Sequence, residues 1–175
     1  MPLTETMKLM KTSNGSDVYT MSKEKLIFLT FLRHFGCVFC RESLIELSKR
    51  REAMEKDGIL PIFVHMSDPE VAVENFEKYG LNDVIHVSDL ECRFYLAFGL
   101  IKGRFNQLFG LKTALRGFEV SLTKGIFPTL QQIGDGYQMP GIFMVKNGTI
   151  QEKFIHQFAA HKPDYESLIA CCKIE

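Results

Sequence analysis

Residues 31–42 read FLRHFGCVFCRE, which sets Cys37 and Cys40 three positions apart, directly behind the apolar run LIFLTFL at 26–32. A C-x-x-C pair serves as a disulfide staple, as half of a zinc site or as a redox centre, and its surroundings tell these apart. An uninterrupted apolar run of strand length is the pattern of a central strand covered by helices on both faces. After Cys40, RESLIELSKRREAMEKDG places Leu44, Leu47 and Met54 near helical spacing amid charges, and Gly58 supplies a stop. The two cysteines therefore fall where a buried strand hands over to a helix, with Gly36 easing the turn and Cys37 at the helix N-terminus.

Working outward, LPIFVHMS reads as a strand, DPEVAVENFEKYG as a helix with Asp68 as N-cap and Pro69 in its first turn, and DVIHVSD as a strand. This alternation predicts an α/β fold with parallel pairing. ECRFYLAFG reads as a short helix. GIFMVKNGTIQEKFI gives two strands around Lys146-Asn147-Gly148, and Asn-Gly is the strongest local signal for a tight hairpin. DYESLIACCKIE reads as a closing helix. At the other end, SNGS (13–16) predicts a turn within a small hairpin that forms an extension over residues 1–24. Residues 100–136 show no clean period and are expected to be an inserted loop segment.

The chain has 175 residues, enough for one domain that buries a core without disulfides or metals. Twenty-one basic residues balance twenty-one acidic ones, which gives no electrostatic reason to expect nucleic acid or an anionic membrane as partner. The N-terminus lacks the features of a secretory signal and no apolar run reaches membrane-spanning length, so a cytoplasmic location is expected. Thiols are mostly reduced there, and five cysteines cannot all pair within one chain. Zinc needs four ligands, and Cys92 with the adjacent Cys171 and Cys172 is a poor match to structural spacing. The reading assigns no metal and no cofactor.

A cysteine at a helix N-terminus meets unpaired amides and the positive end of the helix dipole, so Cys37 is expected to ionise below the free-thiol value. Cys40, one turn in and less exposed, is expected to stay protonated longer. That asymmetry suits thiol exchange, with Cys37 attacking and Cys40 resolving the product to an intramolecular disulfide.

The C-x-x-C at the end of the first core strand, the βαβ unit behind it and Met139-Pro140-Gly141-Ile142 ahead of the late hairpin resemble the thioredoxin-like superfold. FLRHFGCVFCRE, FVHMSDPEVAVENFEKYGL, VSDLECRFYLAFGL and GDGYQMPGIFMVKNGTI are similar to peroxiredoxin-like proteins of the AhpC/TSA antioxidant type, over roughly residues 25–154. The resemblance implies a single thioredoxin-like domain over 1–175, with a central mixed sheet flanked by helices. It implies a thiol-dependent oxidoreductase with Cys37 in the reactive position and Pro140 as a cis-proline facing the dithiol. A peroxide or a disulfide would be the substrate, and an external thiol reductant of the thioredoxin or glutathione kind the electron donor. Two positions depart from peroxiredoxins, Thr30 and His34 standing where those proteins carry proline and threonine. Val38-Phe39 between the cysteines likewise departs from thioredoxins.

Around this centre, Arg41 lies four positions past Cys37 and Arg93 follows Cys92, and both are candidates to reach the pocket. Arg33 and His34 either raise the local positive potential or mark the strand's exit to solvent. Glu42 and Cys92 read as a surface residue and a buried small hydrophobe. The phenylalanines of 100–136 either pack onto the sheet or build a lid or apolar pocket over the thiols. The alternatives to such an oxidoreductase acting on a peroxide or a disulfide are a general protein-disulfide reductase and a redox-passive binding module that uses this Phe-rich segment. A homodimer stays open, with Cys171 or Cys172 available to resolve a disulfide across it.

Overall fold

The computed structural model describes residues 1–127 and 134–170. At its centre lies β1 (Leu26–Phe31), whose residues after Leu26 are all buried. β1 pairs in parallel with β2 (Ile59–His65), which pairs in parallel with β3 (Ile85–Ser88), while β4 (Gly141–Lys146) runs antiparallel on the other side of β1 and carries the edge strand β5 (Thr149–Ile155). The order β3-β2-β1-β4-β5 is the mixed sheet that the sequence predicts. The β4–β5 turn holds Asn147 at φ 52° and Gly148 at φ 69°, both in the left-handed region that such a two-residue hairpin requires.

Alternation along β1 sends Phe28 to one face of the sheet and Ile27, Leu29 and Phe31 to the other. The first face is covered by α3 (Val38–Lys56) through Leu44, Leu47 and Met54, by α4 (Pro69–Glu77) through Ala72 and Phe76, and by α8 (Tyr165–Ala170). The second is covered by α1 (Leu3–Leu9), α2 (Val18–Glu24) and α5 (Arg93–Ala97), with Phe31 in edge-to-face contact with Tyr95 at 4.9 Å. Each such aromatic side chain stabilises the fold by about 1.5–3 kcal/mol through burial. Thr30 falls on the α3 face, and this parity aims it at the two cysteines.

Two expectations change. Residues 1–24 form helices rather than a hairpin, and only a single bridge, Lys11 to Asp17, spans the SNGS turn. Met7 and Met10 lie at helical spacing and pack under the sheet, and the Asp17 side chain caps α2 by accepting from the Thr20 amide at 2.8 Å. The segment 100–127 is no loop either, since it contains α6 (Phe105–Phe109) and α7 (Leu111–Lys124). Gly110 separates them where a Cβ would collide with the Asn106 carbonyl, and Gly117 brings α7 close to the Phe39 ring of α3. Cys171 and Cys172 lie outside the described residues. Among the described residues, no helix is long and apolar enough to cross a membrane.

Candidate active site

At the C-terminal end of β1 the chain turns through 32–37 and enters α3, with Cys37 as N-cap (φ −75°, ψ 125°) and its amide donating to the His34 carbonyl at 3.1 Å. Gly36 sits in this turn outside the left-handed region. Cys37 and Cys40 are free thiols, 6% and 5% exposed. The expected difference in exposure is therefore absent, because the structure covers both sulfurs. They line a cavity of about 20 Å³, room for about one water, together with Thr30, Phe39, Pro140, Ile142 and His156.

The difference between the cysteines is electrostatic. The Cys40 thiol donates to the Cys37 sulfur, and Arg33 and His34 add positive potential, so the Cys37 pKa lies well below the ordinary thiol value despite burial. The same hydrogen bond, reinforced by burial, raises Cys40 well above it.

Arg33 is the residue that the sequence reading underweighted. Its side chain turns inward and is 6% exposed. Nε donates to the Gly136 carbonyl at 2.9 Å, Nη2 donates to the same oxygen, Nη1 lies 3.6 Å from Cys37 Sγ, and the guanidinium sits over the Phe109 ring. Its backbone amide donates to Cys40 Sγ at 3.3 Å. Among the described residues Arg33 forms no ion pair with a carboxylate within 4 Å, Asp135 interacting with it only at longer range, so the anionic group in direct reach of this buried cation is a Cys37 thiolate. A signal existed in the sequence, where no acidic residue occurs between Glu24 and Glu42.

Other candidates divide. Pro140 lines the cysteine cavity, but Met139–Pro140 is trans, as no described peptide bond is cis. Trans is the isomer that an X–Pro bond favours by about 0.5–1 kcal/mol unless its surroundings impose the other. Arg41 does not turn to the thiols. Its guanidinium bonds the Tyr79 hydroxyl and the Phe127 carbonyl, because position i+4 on α3 faces those groups. Arg93 is a surface residue paired with Glu91 at 3.3 Å, both side chains 75% exposed. His34 is half-buried, and burial lowers its pKa. Cys92 is half-buried at φ 56° as the N-cap of α5, with burial raising its pKa. Glu42, expected on the surface, is buried and bonds Arg116 and Lys124, each at 2.9 Å, which ties α7 to α3.

His156 and Thr30 complete the cavity wall. The His156 Nδ1–H donates to the Pro140 carbonyl at 3.2 Å, and burial lowers its pKa to about 4. Thr30 Oγ1 is buried without a hydrogen-bond partner among the described residues. Behind the wall, the Tyr95 hydroxyl donates to the Leu32 and Val64 carbonyls and fixes the ends of β1 and β2. Phe105, Phe109, Phe118 and Phe127 are not packed onto the sheet, all being more than half exposed.

The sequence matches no protein-family model and no curated protein. Solved structures do match. Peroxiredoxin Q of Xanthomonas campestris aligns with a TM-score of 0.61 at 14% identity, covering 93% of this chain and 88% of that one. The bacterioferritin comigratory protein of the same organism aligns at 0.60 and 13% identity, covering 91% and 86%. A protein assigned as the thiol:disulfide interchange protein DsbE of Chlorobium tepidum aligns at 0.57 and 14% identity, covering 93% and 87%. Together with the sheet order and flanking helices, these likenesses establish that the chain has a thioredoxin-like fold, the architecture of peroxiredoxins and thiol:disulfide interchange proteins alike.

Proposed function

We propose that the protein is a thiol-dependent oxidoreductase in which Cys37 attacks and Cys40 resolves. The observation that carries this reading is the buried Arg33 guanidinium 3.6 Å from Cys37 Sγ with no carboxylate ion pair among the described residues. A buried cation that cannot deprotonate is costly unless an anion faces it, so Arg33 favours the thiolate. The thiolate is the nucleophilic form. A redox-passive binding module does not account for this arrangement.

With a hydroperoxide, the Cys37 thiolate attacks the terminal oxygen, the O–O bond breaks, and the alkoxide takes a proton to leave as an alcohol. Cys37 is then a sulfenic acid, two electrons more oxidised. The Cys40 thiol attacks that sulfur, a Cys37–Cys40 disulfide forms, and the sulfenic oxygen leaves as water. An external thiol of the thioredoxin or glutathione kind restores both thiols by two-electron exchange. Burial of both sulfurs behind Phe39, Pro140 and Ile142 favours a small oxidant over a protein disulfide, which needs an exposed thiol. Alkyl peroxide reduction is also the activity named for the bacterioferritin comigratory protein. A peroxide of the antioxidant kind is accordingly the preferred substrate class and a disulfide the second.

The test uses the reduced Cys40→Ser variant, treated in parallel with hydrogen peroxide, cumene hydroperoxide and an oxidised model protein. Trapping of a Cys37 sulfenic acid by dimedone with either peroxide supports the peroxidase reading. Mixed-disulfide formation with the model protein alone shifts it to a disulfide reductase, and no reaction at Cys37 with any of the three overturns both.

A further inference from the structure

α7 is anchored to the body by its polar and small side and turns its apolar side to solvent. Thr113, Gly117 and Val120 face inward, Val120 packing with Val38 and Ile126, and Arg116 and Lys124 bond Glu42. Leu111, Leu115, Phe118 and Leu122 are 74%, 62%, 67% and 68% exposed. At 100° per residue these four fall within an arc of about 60°, and their 4-3-4 spacing is the seam of a coiled coil. Exposed apolar residues arrayed this way mark an interaction surface.

The flanks of the seam say what covers it. Lys112 and Glu119 lie seven positions apart along one flank, and Ala114 and Ser121 along the other. If two copies of the helix pack antiparallel about a two-fold axis, Leu111 meets Leu122 of the second copy and Leu115 meets Phe118 of the second copy. The same register brings Lys112 beside Glu119 of the second copy, and the symmetry repeats that pair. On the opposite flank, Ala114 and Ser121 let the backbones approach closely. A parallel pairing sets Ala114 against Glu119 and makes no ion pair. An anionic lipid surface fits less well, since Arg116 and Lys124 are already held by Glu42 and Glu46, and Glu119, 3.8 Å from Arg116 Nε but 66% exposed, adds a negative charge to the flank of Lys112.

We propose that the exposed face of α7 is a self-complementary interface through which two copies of this chain associate in an antiparallel helix pair. The proposal stands independently of the redox reading. Its test is sedimentation velocity on the full chain across a dilution series, under reducing conditions so that no disulfide links the chains. The wild type is expected to show a concentration-dependent dimer, and Leu115→Glu to remain monomeric. Lys112→Glu and Glu119→Lys, each placing like charges across the axis, are expected to weaken the dimer about tenfold, and the double variant K112E/E119K to restore it. All three positions are exposed, so far-UV circular dichroism is expected to stay native throughout. A monomeric wild type overturns the proposal, as does a dimer unaffected by Leu115→Glu, or a double variant no tighter than the singles. A monomer that instead co-floats with phosphatidylcholine–phosphatidylglycerol vesicles overturns it in favour of a lipid surface.

Discussion

Replacing Arg33 by Met removes the guanidinium whose Nη1 lies 3.6 Å from Cys37 Sγ while leaving an apolar stem of similar length. Two unit charges about 4 Å apart interact with about 1 kcal/mol in bulk water and about 4 kcal/mol at an effective dielectric of about 20. Arg33 and Cys37 are each 6% exposed, so water screens the pair poorly; the Cys37 pKa is expected to rise, and alkylation of Cys37 at a fixed pH below it to slow by about tenfold or more. Arg33→Lys keeps the charge and is expected to retain most of the depression. The assay is the pH dependence of iodoacetamide alkylation, with fragment spectra separating Cys37 from Cys40 in the peptide that carries both. The reasoning is refuted if Arg33→Met, still folded by circular dichroism, titrates like the wild type, or if the Lys and Met variants are indistinguishable.

Four further outcomes are expected. Cys40→Ala removes the thiol that donates to Cys37, so the Cys37 pKa should rise while the fold is kept, which the same alkylation assay reads. The His65 and His86 rings are buried and bonded at 2.8 Å, and burial lowers His65 to about 3. Its neutral form is favoured by folding, so this stability is fully present above the unfolded pKa of about 6.5 and is lost as pH falls toward 3. From pH 7.5 to 5.0 urea melts should show a loss of about 2 kcal/mol from this residue, and His65→Gln should flatten that slope. Glu42→Gln leaves Arg116 and Lys124 without their shared carboxylate. It should cost about 1–3 kcal/mol in urea melts and speed amide exchange in α7 more than elsewhere. Tyr95→Phe removes the donor of the Leu32 carbonyl, while the Val64 carbonyl keeps its bond from the Leu32 amide at 2.9 Å, and should cost about 1–3 kcal/mol, measured by the same melts.

The sheet was legible because its signals are local. LIFLTF is apolar on both faces, and Asn147-Gly148 supplies the two left-handed residues that its turn needs. The N-terminal helices were obscured by SNGS, a genuine turn whose flanks were read as strands although Met7 and Met10 lie at helical spacing. In α7 the 4-3-4 period is present but diluted by Gly117, Thr113 and Val120 on the inward side, the reverse of an ordinary surface helix. Within the site, the strand-to-helix position of the cysteines followed from sequence, whereas the inward turn of Arg33 depends on the Gly136 carbonyl, 103 positions away. His156 enters the cavity wall from just beyond β5, and no local pattern announces that. Arg41 and Arg93 show the opposite limit, since spacing places a residue on a helix without choosing its partner.

The central claim is that Cys37 and Cys40 act as one redox pair with divided roles. Stoichiometric oxidation of the fully reduced protein by hydrogen peroxide, the smallest oxidant for a cavity of this size, followed by alkylation of the remaining thiols and peptide mapping, tests it most directly. The account predicts one equivalent of oxidant consumed, a Cys37–Cys40 disulfide as the product, and Cys92 still free. Oxidation that begins at Cys92, or that leaves Cys37 and Cys40 both alkylatable after the peroxide is consumed, contradicts it.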